Sequence, residues 1–559
     1  MKKIWLNSYP PGVPAEIDVD RYANLLEVME DAIVQYSANP AFSSMGTQIT
    51  YQELDELSNA FASYLQQVLK LNKGDCIALM LPNILQFPVA FLGALKAGLI
   101  ITNINPLYTA PELAHQLQDC EARAIVVLAN SAHTLEQALP ETKLEFVIVT
   151  ELGDLFSRFK SILVNLYVKN IQHLVPEWHI EKTIAFTEAL SEGKHLTRKE
   201  VSMAPDDIAL LQYTGGTTGV AKGAELTHRN LVSNILQSIT YIGTAIVPGK
   251  EIMIIALPLY HIFSLTVCCL AFLSVGAHGI LIPDARRLQD LIKALKTYPV
   301  SVFVGLNTLF YGLLSKPEFR QMEHHYKLSV AGGMPTHNEV ADDWFEVTGS
   351  VVLEGYGLTE MSPIVSINPT HLKKFNHSIG LPIPNTEVSI RDDHGKELDI
   401  NQEGELWVRG PQRMRAYWHN EKETKESMDS EGWLATGDMV TMDEQGFLYV
   451  VGRKKDLIIV SGFKVFPDAV ENVIASNPKV AEVAVIGVDD ISSGEAVKAY
   501  VIKKEASLTQ DELMQYCHQQ LTGYRMPKYI EFVDSLPRSN VGKILYRALR
   551  ERNQKKSAL

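Results

Sequence analysis

Short apolar runs rich in β-branched residues recur through the first 387 residues, and stretches with helically spaced apolar positions separate them. The runs 77–81, 124–128, 146–150, 252–257, 300–304, 328–331 and 351–354 have the length and continuous apolarity of buried strands. The stretches 51–69, 87–97 and 111–120 read as helix patterns. Continuous apolar strands alternating with helices predict parallel sheets covered on both faces. Residues 262–282 contain no Asp, Glu, Lys or Arg, and the segment approaches the ~20 residues of a membrane span. Gly276, His278 and Gly279 interrupt it and Pro283 follows, so the pattern predicts a buried helix over 264–274 and a short strand over 279–282.

After Glu387 the texture changes. Residues 405–410 and 447–451 read as strands, with the turns Asp392-Asp393-His394-Gly395 and Asp443-Glu444-Gln445-Gly446 between such runs. A small β-rich subdomain is expected there, followed by a junction at Arg453-Lys454-Lys455-Asp456. The segments 469–475, 480–488, 496–503, 510–521 and 529–533 then form an α+β pattern. The sequence shows neither an internal repeat nor a low-complexity segment.

The chain has 559 residues, and single cores stop growing near ~250–300 residues, so more than one folding unit is required. Apolar residues make up 46% and charged residues 21%, which places the chain among ordinary globular enzymes. A formal net charge of −14 argues against nucleic acid as a partner, because neutralising phosphates needs clustered basic surface. Cys76, Cys120, Cys268, Cys269 and Cys517 show no Cys-x-x-Cys spacing and lie mostly in apolar segments. Buried thiols in a reducing compartment are therefore expected, rather than disulfides or a metal site. Lys2 and Lys3 are followed by no apolar run, so no secretory leader is expected and the cytoplasm is the expected location.

The densest chemical signal is Tyr213-Thr214-Gly215-Gly216-Thr217-Thr218-Gly219-Val220-Ala221-Lys222-Gly223. Small residues and hydroxyls at this density let several backbone N–H groups converge on one polyanion, with a lysine to balance charge. The loop is not a Walker A motif, because no Gly-Lys-Ser/Thr follows four intervening residues. A plain flexible turn would require neither the hydroxyl cluster nor the lysine.

With this loop the chain resembles the adenylate-forming superfamily of acyl-CoA synthetases, luciferases and peptide-synthetase adenylation domains. Further motifs of that superfamily follow in order: Leu257-Pro258-Leu259-Tyr260-His261, Gly332-Gly333-Met334-Pro335 and Glu354-Gly355-Tyr356-Gly357-Leu358-Thr359-Glu360. After them come Gly404-Glu405-Leu406, Gly432-Trp433-Leu434-Ala435-Thr436-Gly437-Asp438, Gly452-Arg453-Lys454-Lys455-Asp456 and Pro537-Arg538-Ser539-Asn540-Val541-Gly542-Lys543. Trp5-Leu6-Asn7-Ser8-Tyr9-Pro10, Asn103-Ile104-Asn105-Pro106-Leu107-Tyr108 and Leu521-Thr522-Gly523-Tyr524 resemble the bacterial long-chain fatty-acid–CoA ligase branch. Two departures are Ala331 before Gly332-Gly333, where some relatives have a third glycine, and Arg538, where many have lysine.

The resemblance implies an α/β fold. A large N-terminal domain of two α/β subdomains plus a β-rich subdomain is followed by a small mobile α+β C-terminal domain. The expected boundaries are 1–453, a hinge at 454–456 carrying Lys455 and Asp456, and 457–559. It also implies ATP-dependent, AMP-forming ligation of a fatty acid to coenzyme A through an acyl adenylate. A medium-chain, aryl or luciferase-like adenylating enzyme, and a non-catalytic lipid-binding protein on the same fold, are the competing readings.

A fatty carboxylate is ionised at pH 7, so its attack on the α-phosphate needs cations and oriented donors rather than a general base. By resemblance, Tyr213, Thr214, Gly215, Gly216, Thr217, Thr218, Gly219 and Lys222 hold the β- and γ-phosphates. Glu360, preceded by Thr359, carries Mg2+ with Thr214 nearby, and Lys543 reaches the carboxylate and α-phosphate. Asp438 and Arg453 contact the ribose. Gly333, Gly355, Tyr356 and Gly357 frame the adenine. His261 positions the acyl carboxylate, and Phe263, Leu265, Gly305 and Phe310 line an apolar acyl tunnel together with Val304 and Asn307. Where some long-chain enzymes have a gating tryptophan, Leu265 stands, which leaves the preferred chain length open. Gly462, Phe463 and Lys464 border the coenzyme A channel, and rotation about Lys455-Asp456 alternates the two half-reactions.

Residues 155–176 contain Arg158, Lys160 and Lys169, no acidic residue, and Phe156, Phe159, Ile162, Leu163, Leu166 and Tyr167. Two readings fit: a helix lying on the inner face of an anionic cell membrane, where the substrate dissolves, or a helix packed on the protein's own core. A homodimer is likewise left open.

Overall fold

Every continuous apolar run expected as a strand is one, with ends displaced by a few residues, and in the computed structural model these strands build two large sheets. The structure describes residues 2–214, 221–490, 492–538 and 544–557. The chain forms two units: Leu6–Glu387 with Arg409–Gly432, and a smaller one of Met1–Trp5, Val388–Val408 and Trp433–Leu559.

In the larger unit, the first sheet has seven strands. Their order is Thr183–Ala185, Phe146–Thr150, Ala122–Leu128, Cys76–Met80, Ile100–Asn103, Ile208–Thr214 and Lys222–Thr227. All neighbours are parallel except the last pair. Cys76–Met80 is buried at every position, as a central parallel strand covered on both faces must be.

The second sheet has nine strands: Leu381–Pro382, Ile364–Ile367, Val352–Gly357, Leu328–Gly332, Val302–Gly305, Ile252–Ile255, His278–Leu281, Pro40–Ser44 and Thr47–Thr50. Its interior is parallel and both margins turn antiparallel. The helix Tyr51–Gln67 starts on a reciprocal cap in which Thr50 and Glu53 each satisfy the other's backbone N–H.

The charge-free segment 262–282 folds as expected in outline, with one difference. Its helix is wound as a π-helix over Ser264–Ala271, buried at every residue, and the strand His278–Leu281 follows. Among the described residues, no helix is long and apolar enough to cross a membrane.

The smaller unit contains a four-stranded sheet ordered Glu387–Arg391, Gly404–Arg409, Leu434–Met442 and Leu448–Arg453, and a five-stranded α+β sheet. The latter has the order Phe463–Val465, Ile458–Val460, Gly494–Lys503 and Val480–Asp490, with Tyr529–Phe532 added parallel to Gly494–Lys503. Helices Pro467–Ala475, Gln510–Gln520 and Tyr546–Ser557 complete it. The β-rich sheet joins this unit because its last strand abuts the helix Pro467–Ala475. A Cβ added at Gly452 would lie 2.9 Å from the Phe466 ring and 3.2 Å from the Asp468 carboxylate. All five cysteines are buried and free.

Candidate active site

In the larger unit, strands Ile208–Thr214 and Lys222–Thr227 form a hairpin whose register sets Thr214 opposite Lys222. The predicted phosphate ligands Gly215, Gly216, Thr217, Thr218 and Gly219 lie outside the described residues. What the structure shows is the frame on which their loop is mounted. Residues 415–418 run alongside the second strand: the Glu225 N–H donates to the Ala416 carbonyl at 2.9 Å, and the Arg415 N–H donates to the Glu225 carbonyl at 2.9 Å. The Arg415 guanidinium adds an ion pair to Glu225 at 2.7 Å.

This added segment brings Tyr417 to the predicted site. Its hydroxyl donates to Glu360 Oε1 at 2.6 Å, and Lys222 Nζ stands 5.6 Å from its ring centroid while pairing with Glu423. Burial raises the Tyr417 phenol well above its usual range, and the charge of Glu360 adds to the effect. The phenol thus stays protonated and remains a donor. Glu360 sits in the one-turn helix Thr359–Met361, where its carbonyl accepts the Met414 N–H at 2.7 Å. Thr214, Lys222, Thr359 and Glu360 therefore share one neighbourhood, with Tyr417 as the unpredicted link.

The Tyr213 side chain has partners of its own. Its hydroxyl donates to Asp119 Oδ2 at 2.5 Å, and its ring covers Gly223, where a Cβ would fall 3.0 Å from Cζ. The side chain is a packing element; the part of Tyr213 that leads into the loop is its backbone.

The turn carrying His261 is fixed by residues that the sequence reading missed. Asn83 Nδ2 donates to the carbonyls of Ile255 and Leu257 at 3.0 and 2.8 Å, and Asn83 Oδ1 accepts the Leu259 N–H at 2.8 Å. Gln212 Nε2 donates to the Tyr260 carbonyl at 3.1 Å. Both amides belong to the seven-stranded subdomain, so they set the turn against the strand that leads into the phosphate loop. His261 Nδ1 accepts the Phe263 N–H at 3.3 Å.

Phe263 lies against the next motif. A Cβ at Gly332 would be 2.9 Å from Phe263 Cζ and 3.2 Å from the Gly355 carbonyl, so glycine is required for this approach. Gly333, with φ of +78°, continues the turn, and Tyr356 pairs in register with Ser366 on the neighbouring strand. At Gly357 a Cβ would meet the Pro363 carbonyl at 2.2 Å. Phe263, Gly332, Gly333 and Gly355 are thereby brought together, while Leu265 and Phe310 are not part of an open surface. Leu265 is fully buried in the π-helix, and Phe310 packs between Phe303 and Trp344 with centroids 5.2 and 4.6 Å away. Gly305 borders the same aromatic cluster, 3.0 Å from Phe303 and 3.1 Å from Phe310 by its added Cβ.

Glu354 opens the same motif. It is buried, and burial pushes its carboxyl up to about 8, against hydrogen bonding from Thr336 that lowers it. A carboxyl neutral through that range needs no counter-charge in the core.

In the smaller unit, Asp438 and Arg453 face each other in register on adjacent strands, and their ion pair spans 2.6 Å. The buried Asp438 carboxylate has its backbone held by Thr436, whose hydroxyl donates to the Leu406 carbonyl at 2.8 Å. Lys455 and Asp456 lie in the turn Lys454–Asp456, and burial holds the Lys455 ammonium below its usual range. Gly462 forms the turn between Ile458–Val460 and Phe463–Val465. Phe463 stacks on Tyr524 at 4.7 Å, and Lys464 pairs with Asp393 at 3.0 Å. Lys543 lies outside the described residues.

Comparison with known proteins bears on both units. The profile of the AMP-binding enzyme family matches residues 29–418, and that of the AMP-binding enzyme C-terminal domain matches 469–543. A long-chain-fatty-acid–CoA ligase of Yersinia pestis is 50% identical over 556 residues, covering 99% of both chains. One of Escherichia coli O157:H7 is 50% identical over 552 residues, covering 99% of this chain and 98% of the relative. The crystal structure of the anthranilate CoA ligase AuaEII with anthranoyl-AMP superposes with a TM-score of 0.85 at 24% identity, covering 97% of this chain and all of that one, which speaks to the fold alone.

Proposed function

The chain belongs to the AMP-binding enzyme family, and from that premise we propose how its residues divide the work of a two-step ligation. The activity is that of a long-chain-fatty-acid–CoA ligase, an ATP-dependent, AMP-forming enzyme. Fatty acid, ATP and coenzyme A become acyl-CoA, AMP and diphosphate through an acyl adenylate.

Because the fatty carboxylate arrives ionised, no residue has to remove a proton from it. The work is to hold two anions together and stabilise the charge that gathers on the diphosphate. The observation that carries the proposal is the contact between Tyr417 and Glu360 beside Lys222. It supports a polar frame in which a cation and an oriented carboxylate stand about Tyr417, with Lys222 in register opposite Thr214. Lys222 would neutralise the triphosphate, exchanging its bond to Glu423 for phosphate oxygens. Glu360 and Thr214 offer hard oxygen donors of the kind Mg2+ takes together with phosphate oxygens. Bound there, Mg2+ would neutralise triphosphate charge.

Asp438 would accept the ribose hydroxyls, held in place by Arg453. Gly333, Gly355, Tyr356 and Gly357 would frame the adenine, and His261 with Phe263 and Gly305 would position the acyl end. Leu265 and Phe310 would act from behind as core. Lys543 would serve the adenylation step. The division at 1–453, 454–456 and 457–559, with rotation about Lys455-Asp456 bringing Gly462, Phe463 and Lys464 to the thioester step, belongs to the same proposal. So does peripheral contact with the inner face of the cell membrane.

AMP release with saturated acids of increasing chain length tests the reading. Each buried CH2 adds ~0.8 kcal/mol, so kcat/KM should climb by about fourfold per methylene until the tunnel is full. A flat profile, or a preference for aryl acids, would overturn the long-chain assignment. Glu360→Gln should lower ATP–diphosphate exchange by about a hundredfold and change its magnesium dependence.

A further inference from the structure

The segment 155–176 forms the helix Arg158–Leu166, prolonged as a π-helix over Tyr167–Ile171. Its apolar stripe faces outward. Phe159 is 75% exposed and Ile171 68%, and Ile162, Leu163, Leu166 and Tyr167 are each about half exposed. The spacing 159, 162, 163, 166, 167 is that of one helix face. In a helix packed on its own protein this face would be buried, so the core-helix reading fails here.

The inward side is polar and anchored. Lys160 Nζ donates to the Met45 carbonyl at 2.5 Å and to Thr47 Oγ1 at 3.0 Å. Asn165 Oδ1 accepts the Gly153 N–H at 2.8 Å, and below the helix Val168 and Phe156 are buried. The amphipathic helix is thus mounted with its apolar face to solvent. Other exposed large apolar side chains among the described residues are scattered along the chain, whereas these form one contiguous stripe.

The geometry points to this stripe as a docking surface for an anionic lipid membrane, the contact through which the enzyme meets its amphiphilic substrate. This inference deepens the proposed peripheral contact and rests on it. Charge selects the occupant. Arg158 and Lys169 border the stripe, residues 155–176 hold no Asp or Glu, and the chain as a whole carries −14. The nearby Glu151 carboxyl is raised chiefly by burial, with Asp154 adding to it and the Lys169 charge opposing. Two copies meeting on this face through a two-fold axis would bring the same basic groups together, whereas an anionic surface complements them. The helix acts within a Debye length of about 10 Å, so the net negative charge elsewhere is largely screened from that surface.

Co-sedimentation with phosphatidylcholine vesicles, with and without a phosphatidylglycerol fraction, tests the assignment. The parent protein should bind the phosphatidylglycerol vesicles and lose binding at high salt. The variant Phe159→Ser/Ile162→Ser/Leu166→Ser should lose affinity by about a hundredfold or more, because the buried apolar area is removed. Arg158→Gln/Lys169→Gln should lose about thirtyfold, and only on the anionic vesicles. Lys160 is left intact because it anchors the helix. Both variants should keep their circular dichroism and their activity on detergent-dispersed fatty acid. A parent that binds no vesicle overturns the peripheral contact itself. A parent that binds while the serine variant binds equally well overturns only this surface. A parent dimer that becomes monomeric in the serine variant, without vesicle binding, assigns the face to a second copy instead.

Discussion

Arg550 Nη2 lies 2.5 Å from Asp456 Oδ1, which ties the C-terminal helix Tyr546–Ser557 to the turn Lys454–Asp456. The helix begins three residues after Lys543. A second tie reinforces the first: Tyr546 donates to Glu471, whose carboxylate also accepts the Val485 N–H at 2.6 Å. Around them gather Asp438, Arg453, Lys455 and Asp468. Burial pushes the Asp468 carboxyl up to about 6, with Asp456 and Asp438 adding to it.

Arg550→Ala should therefore slow adenylation without abolishing it. The pair is partly exposed, so its loss is expected to cost about fivefold in the ATP-dependent half-reaction. The thioester half-reaction from supplied acyl-AMP should change less. Arg550→Lys keeps the charge but loses the planar fork, and should fall between parent and Ala. Equal losses in both half-reactions would reduce the tie to a purely structural one.

Tyr417→Phe removes the donor on Glu360 while keeping the ring beside Lys222. A hydrogen bond to a charged group is worth ~1.5–3 kcal/mol when lost. The adenylation rate should drop by about tenfold or more, with a shifted magnesium dependence and an unchanged Km for coenzyme A. Parent-like kinetics would remove Tyr417 from the site.

Tyr417 also marks where sequence reading stopped. The glycine and threonine loop was legible as a local pattern, because its density of small residues and hydroxyls with a lysine suits a polyanion. The Thr359-Glu360 pair, Asp438 and Arg453 were marked only by their resemblance to the family's motifs, since each alone reads as an ordinary surface or capping residue. The parallel sheets were legible from continuous apolarity. Tyr417, Asn83 and Gln212 were not, because nothing near them in sequence says that their side chains reach a turn far along the chain. The outward helix 158–171 could not be decided either, since amphipathic spacing reads the same whichever side faces water. The short strands Pro40–Ser44 and Ile100–Asn103 lacked signal because their neighbours, not their own apolarity, define them.

Lys543→Ala should separate the half-reactions. We propose that its ammonium meets the charge that builds as carboxylate meets α-phosphate, a role confined to the transition state. Acyl-AMP formation should slow by roughly a hundredfold or more, while supplied acyl-AMP is still converted with coenzyme A. A bulky residue at Gly462, whose φ is +86°, should do the reverse. Comparable losses in both steps for Lys543→Ala would end the alternating-domain account.

Glu354 gives a pH test that does not depend on activity. Its folded carboxyl is raised from 4.5 to about 8 by burial. Above pH 4.5 the unfolded chain releases this proton while the folded chain keeps it, so the folded state binds more protons. Unfolding free energy then falls as pH rises, starting near 4.5 and levelling off once pH exceeds about 8. Glu354→Gln preserves the neutral shape and can still accept the Thr336 N–H that now reaches Oε2 at 3.4 Å. The variant should match the parent near pH 5 and melt higher at pH 8. A difference of 1 kcal/mol moves melting by about 2–4 °C in a large domain, and a gap of at least that size is expected. Glu471, pushed up to about 8 in the smaller unit, supplies its own slope, which the substitution leaves in place. Thermal melts of parent and variant from pH 5 to 8 decide the matter. Parallel curves over that whole range would mean that Glu354 is ionised in the folded protein, with a counter-charge yet to be found.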